Sequence, residues 1–153
     1  IAVSFADPAV VNFAKEGLLE VGGDGGDTIF CNAEEAQLFT ETDNITEAAQ
    51  ALTQYCHLAV VTNSADDTII CEKAEDGSIT LLDVPTPNVD KVIDTNGAGD
   101  NYSGAFLYAL SQNHSLAQCG QLAGTVASQV VQQFGPRLSV AQYQHLAQNI
   151  LSA

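Results

Sequence analysis

The chain opens on an apolar run at residues 1–5 that stops at Asp7-Pro8. This reads as a buried strand followed by a helix start, with proline where a first helical turn tolerates it. Val10, Val11, Ala14, Leu18 and Leu19 then recur at helical spacing, with Asn12, Lys15 and Glu16 on the polar side. The helix is expected to end before Gly22-Gly23-Asp24-Gly25-Gly26-Asp27, a loop that lacks both a dinucleotide fingerprint and the ligand spacing of a calcium loop. Residues 28–31 read as a second buried strand, 34–39 as a short helix, 46–56 as a clear helix and 58–62 as a third buried strand. The pattern then changes. Runs at 68–71 and 78–82 flank Asp76-Gly77, a favoured hairpin turn. Residues 84–89 read as extended, and Val92-Ile93 as another short strand. Gly97-Ala98-Gly99 opens a helix whose apolar face includes Ala105, Phe106, Tyr108, Ala109 and Leu110, and Asn113 ends it. A long helix rich in small residues is predicted over 116–134, stopped by Gly135-Pro136, and a last helix over 140–151. Strands that alternate with helices predict an α/β fold, a mostly parallel sheet with helices on both faces and an antiparallel hairpin at one edge.

Charge narrows the chemistry. The 153 residues hold 19 Asp and Glu against four Lys and Arg, a formal net charge of -15. That balance excludes binding to a nucleic-acid backbone or an anionic membrane surface. No apolar run approaches the roughly 18 residues a membrane helix needs. Lys15, Lys73, Lys91 and Arg137 are the only fixed cations, too few and too scattered for a cationic clamp. A phosphorylated ligand would have to be held by backbone amides, helix N-termini and a metal ion. Cys31, Cys56, Cys71 and Cys119 form no C-x-x-C pair and read as reduced, buried thiols of a cytoplasmic protein. The length fits one domain. The chain starts at Ile1 and contains no Met, as a processed chain or a fragment would.

The sharpest local feature is Val92-Ile93-Asp94-Thr95-Asn96-Gly97-Ala98-Gly99-Asp100. A short run enters a polar turn and then a helix whose first residues are small, so that backbone N–H groups approach a ligand closely. With the helix dipole they form an anion cradle that needs no Lys or Arg. Asp100, in the first turn, faces whatever the cradle holds. Read alone, the same string is also an ordinary strand-to-helix turn with a capping Asp. Two other phosphate motifs are absent: the chain has no G-x-x-x-x-G-K-[ST], and Tyr102 stands where a third dinucleotide-binding glycine belongs.

Asp94 to Asp100 closely resembles the D-T-x-G-A-G-D signature of the PfkB family, the ribokinase-like sugar and nucleoside kinases. Three other segments agree in order. Asn32-Ala33-Glu34-Glu35 resembles the family's N-x-x-E motif, Val60-Val61-Thr62 the strand before its nucleotide loop, and residues 116–136 its late Ala-rich helix. Ser4 to Pro8 and Asn101 to Tyr108 look most like the adenosine-kinase-like branch. The resemblance covers nearly all of residues 1–153 but only the C-terminal, nucleotide-binding half of a family member. It implies a three-layer αβα sandwich and transfer of the γ-phosphoryl of ATP to a hydroxymethyl group of a sugar or nucleoside.

The resemblance also implies roles. Asp100 is the base for the acceptor hydroxyl, and the Gly97, Ala98 and Gly99 amides are the anion hole. Asn32 and Glu35 order Mg²⁺ and its waters, Asp94 lies at a monovalent-cation (K⁺) site, and Thr62 and Ser64 lie near the nucleotide. The N-terminal half, with the lid through which a homodimer forms, is the implied partner, and the fragment alone is expected to be inactive. One departure stands out. The family's loop reads T-x-G-x-x-G, whereas this chain has Thr62-Asn63-Ser64-Ala65-Asp66-Asp67, with a carboxylate in place of the second glycine. That departure, with the absent half, supports the competing reading of a nucleotide-binding regulatory module without turnover.

Overall fold

The computed structural model describes residues 1–22 and 26–152. Its elements run β1 (Ala2–Ser4), α1 (Pro8–Gly22), β2 (Gly26–Asn32), α2 (Ala33–Thr40), α3 (Ile45–Leu52), β3 (Cys56–Asn63), β4 (Asp66–Lys73), β5 (Ile79–Val84), α4 (Ala98–Ser111), α5 (Leu116–Val130) and α6 (Val140–Leu151). The chain divides into two compact units, Ile1–Asp83 and Val84–Ala153. Residues 23–25 of the expected Gly22–Asp27 loop lie outside the described residues.

The first unit carries a five-stranded mixed sheet in the order β1-β2-β3-β4-β5. β1, β2 and β3 are parallel, with Phe30 opposite Val60 and Asn32 opposite Thr62. β4 turns back antiparallel on β3. Ile29, Cys31, Ala59, Val61, Ile69 and Cys71 form one core cluster with Val11 of α1, Ala36 and Phe39 of α2, and Ala48, Ala49 and Leu52 of α3. The alternate strand residues Phe30, Leu58, Val60 and Ile70 are buried as well, so these strands read as continuous apolar runs rather than as alternation. The Asp76-Gly77 turn forms as expected. Gly77 takes φ 81°, and the Asp76 carboxylate accepts from the Ser78 N–H and hydroxyl.

Several boundaries differ from the expectation, beginning with Gly22, Gly26 and Asp27 of the expected loop, which lie in α1 and β2. The helix predicted to Cys56 ends at Leu52, and Cys56 starts β3 as a buried strand residue. β3 and β4 form a second hairpin across Ser64-Ala65, which no glycine signalled; Ser64 supplies the positive φ (52°) itself. Val92-Ile93 is not a strand: the Ile93 and Asp94 amides instead donate to the Val131 carbonyl, at 2.7 and 3.2 Å.

The second unit is helical. α4 buries Tyr102, Phe106 and Ala109 on one stripe, so Tyr108, expected on the apolar face, is 53% exposed. α5 buries Cys119, Leu122, Ala123, Val126 and Val130 together with two glycines. It ends at Val130 rather than Phe134, which is 86% exposed. α6 buries no residue fully. All four cysteines are buried and free, and burial pushes the Cys56 and Cys71 thiols up to about 11, which makes them poor nucleophiles at neutral pH. Among the described residues no helix is long and apolar enough to cross a membrane.

Candidate active site

The first group of site residues sits where parallel strands end. β2 delivers Asn32 as the N-cap of α2. Its Oδ1 accepts from the Glu35 N–H at 2.8 Å, and its own N–H donates to Glu35 Oε2 at 2.9 Å, a reciprocal capping box. Thr62, opposite Asn32 on β3, donates weakly to the Cys31 carbonyl at 3.4 Å. The structure thus brings Asn32, Glu35 and Thr62 together. Ser64 lies beyond them at the exposed hairpin turn. Asp67 is the second residue of β4, exposed and without a positive φ, so the position where the family has glycine accepts a side chain without backbone strain.

Glu35 is only 4% exposed. Burial raises its carboxyl above the usual range, the Asn32 hydrogen bond opposes that rise, and the Asp7 and Glu34 charges add to it. Asp7 was not singled out in the sequence. It ends the link after β1, and its Oδ1 accepts from the Ala9 N–H at 2.7 Å, capping α1. Its signal was the Asp-Pro helix start.

The second group surrounds the start of α4. Gly97, the residue before the helix, takes φ 75°. A Cβ there would lie 2.7 Å from Pro136 Cβ and 3.0 Å from the Pro136 carbonyl, so only glycine fits. At Gly99 a Cβ would meet nothing within 4 Å: this glycine faces open space. No side chain caps α4, whereas Asn32, Asn44, Ser115 and Ser139 cap α2, α3, α5 and α6. The Ala98 N–H turns back weakly onto the Thr95 carbonyl at 3.3 Å, and the Gly99 and Asp100 amides that follow are left open, which is what an anion cradle requires. Asp100 is exposed in the first turn.

The link from α5 to α6 forms the back wall of this turn. Asp94 Oδ1 accepts from the Asn96 N–H at 3.0 Å and Oδ2 from the Gly135 N–H at 3.2 Å, and these bonds hold its carboxyl below the ordinary aspartate range. Asn101 Nδ2 donates to the carbonyls of Gly97 (2.6 Å) and Pro136 (2.7 Å), while its Oδ1 accepts from the Tyr143 hydroxyl. Beside Asp100 runs a groove of about 660 Å³ along α4 and α6, lined by Asn101, Gly104, Tyr108, Arg137 and Tyr143 among others. Sequence reasoning missed Asn101 and Tyr143. The first had a local signal, an amide side chain four residues after Gly97; the second had none.

Among the described residues no three His, Cys, Asp or Glu side chains form a metal cage. Glu35 keeps Oε1 outside its capping bond, and Asp94 keeps lone pairs on both oxygens. That donor set fits hard cations carried partly by water and ligand phosphates, and it fits no thiolate or imidazole site.

A mixed α/β sheet followed by an uncapped, glycine-started helix with an acid in its first turn is the arrangement of a phosphate-binding α/β protein. Residues 3–142 match the pfkB family carbohydrate kinase domain, and the chain belongs to that family. Adenosine kinase 1 of Arabidopsis thaliana is 37% identical over 118 residues, 69% of this chain and 33% of the relative. The solved adenosine kinase of Sinorhizobium meliloti superposes with a TM-score of 0.82 at 31% identity, over 97% of this chain and 44% of that one. A probable sugar kinase of Rhizobium etli CFN 42 gives 0.85 at 30% identity, again over 97% and 44%. The chain thus spans a third to less than half of the length of these relatives.

Proposed function

We propose that this chain is the nucleotide-binding and catalytic portion of an ATP-dependent kinase that phosphorylates a hydroxymethyl group of a nucleoside, adenosine-like before sugar-like. The open N-terminus of α4 carries this reading. An anion held there meets the open Gly99 and Asp100 amides and the positive end of the helix, with the Ala98 N–H released from its weak bond to the Thr95 carbonyl, the stabilisation that phosphoryl transfer draws on. Asp100 accepts the acceptor hydroxyl's proton as the oxygen attacks. Gly97, Ala98 and Gly99 line the anion hole, and Gly99 leaves room for the phosphoryl oxygens. Glu35, with Asn32 beside it, would hold Mg²⁺ through water, Asp94 would hold a monovalent cation such as K⁺, and Thr62 and Ser64 would lie near the nucleotide. Mg²⁺ supplies charge neutralisation on the phosphates. An N-terminal half, as the family resemblance implies, would supply the acceptor contacts and the lid through which a homodimer forms, and the fragment alone would not turn over. The protein acts in the cytoplasm.

The test is a fusion of this chain to the N-terminal half of the Arabidopsis adenosine kinase, assayed for ADP release with Mg²⁺, K⁺ and a panel of nucleosides and sugars. Acceptor-dependent release that falls about 10²–10⁴-fold in Asp100→Asn establishes the kinase and its base. A folded fusion that binds ATP but releases no ADP with any acceptor sinks the catalytic reading and leaves the regulatory nucleotide-binding module.

A further inference from the structure

The start of α4 is held from α6 by one side-chain relay. The Leu138 N–H donates to the Tyr143 hydroxyl at 3.1 Å, and that hydroxyl donates to Asn101 Oδ1. Both Asn101 Nδ2 hydrogens are used, one on the Gly97 carbonyl and one on the Pro136 carbonyl. The Gly97 carbonyl also accepts the Asn101 N–H at 3.0 Å. The amide orientation is therefore fixed by donor and acceptor count, since only Oδ1 can take the hydroxyl and only Nδ2 can serve two carbonyls. Two consequences follow. The carbonyl nearest the anion cradle is doubly satisfied and presents little negative charge to an incoming phosphate. The φ 75° turn at Gly97 is also clamped against Pro136, which fixes the direction of the next amides. An apolar pair at positions 101 and 143 would form none of these hydrogen bonds. It would leave the Gly97 carbonyl with one donor and the turn unclamped.

We propose that Asn101 and Tyr143 are positioning residues, a latch through which α6 sets the aim of the Gly97–Asp100 backbone and thereby its affinity for the triphosphate of ATP. This rests on the α4 N-terminus being the phosphate site, as argued above. Neither residue touches the reacting atoms in this account; Asn101 acts through Gly97 and Pro136, and Tyr143 acts through Asn101.

The test uses Tyr143→Phe, which removes one hydroxyl, and Asn101→Ala. His145→Ala is the control on α6, where His145 contacts Asn149. Mg–ATP affinity is measured by calorimetry, thermal midpoint by circular dichroism, and exchange of the Gly97, Gly99 and Asp100 amides by NMR without ligand. Tyr143→Phe is expected to bind Mg–ATP about 3- to 10-fold more weakly, the worth of one hydrogen bond. Its midpoint should fall by only a few °C, as the loss of a hydroxyl with two hydrogen bonds gives in a domain of this size, so that the chain stays folded at the temperature of the titration. Asn101→Ala should lose more affinity, and His145→Ala none. Unchanged affinity in both latch variants overturns the proposal. So does a loss in Tyr143→Phe that merely tracks unfolding. If the unaltered chain binds no Mg–ATP, the phosphate-site reading fails, and amide exchange alone decides on the latch. Faster exchange at Gly99 and Asp100 in Tyr143→Phe supports it, and unaltered exchange overturns it.

Discussion

Two helices in this chain begin at residues assigned to nucleotide chemistry, and they begin in opposite ways. α2 closes on itself: Asn32 and Glu35 satisfy each other's backbone amides, and Glu35 is buried. α4 stays open: Gly97 brings no side chain, Gly99 faces space, and the turn is held from behind by Asp94, Asn101 and Pro136. A closed start builds the fold and offers a ligand little beyond one carboxylate oxygen. An open start forgoes a cap worth about 1 kcal/mol and keeps its amides for an anion. Functional sites often break a local rule in this way, with compensation nearby; here the compensation is the web of bonds to the α5–α6 link.

The largest expected effect separates the two glycines of α4. Gly97→Ala forces a side chain into a left-handed turn and into Pro136, so unfolding free energy in a urea titration should fall by about 2–4 kcal/mol. Gly99→Ala meets no protein atom within 4 Å and lies in the first helical turn, so stability should hold or rise. Its Mg–ATP affinity should nevertheless drop at least about tenfold, because the new methyl occupies the mouth of the cradle. Equal loss of stability in both variants would erase the distinction.

At α2 the expected result is the reverse. Asn32→Ala removes a cap and should cost about 1 kcal/mol in thermal or urea unfolding, within the usual range for lost N-caps. A fall in nucleotide affinity without a fall in stability would make Asn32 a ligand group first and a cap second. The smallest effect is a pH dependence. Glu35 has a raised carboxyl in the folded chain, so between the ordinary glutamate value of about 4.3 and the raised one the native state binds more protons than the unfolded state. Stability therefore falls as pH rises through that window. Glu35→Gln keeps the capping geometry and should flatten that fall, as urea midpoints read between about pH 4 and 7 will show. Asp94 has the opposite sign. Its carboxyl is held low, so its contribution is present at neutral pH and is lost as acid takes the pH below the ordinary aspartate range.

The sequence made the parallel strands and the α4 motif legible because each carries a local signal. Residues 29–31 of β2 and 58–61 of β3, buried on both faces, are unbroken apolar runs, and Gly97-Ala98-Gly99-Asp100 sits in one place; β1, expected to be buried, is instead an edge strand with Ala2 and Ser4 exposed. The β3–β4 hairpin stayed hidden because Ser64 adopts a positive φ without the glycine or Asn-Gly pair that announces such turns. Val92-Ile93 resembled a strand by composition alone; its partner is the end of a helix about 40 residues on, the Val131 carbonyl. The Asn101–Tyr143 bond joins positions 42 residues apart, and no pattern along the chain encodes it. Among the assigned residues, the distinction that sequence could not draw was between Gly97, glycine for the fold, and Gly99, glycine for what the fold leaves open.

The most direct test of the central claim is an amide-resolved NMR titration of this chain with Mg–ATP. If the open start of α4 is the phosphate site, the Gly97, Ala98, Gly99 and Asp100 amides shift together and saturably, and Gly99→Ala abolishes the shifts while the rest of the spectrum is retained. Binding that leaves those four amides unmoved would contradict the account, whatever else in the spectrum responded.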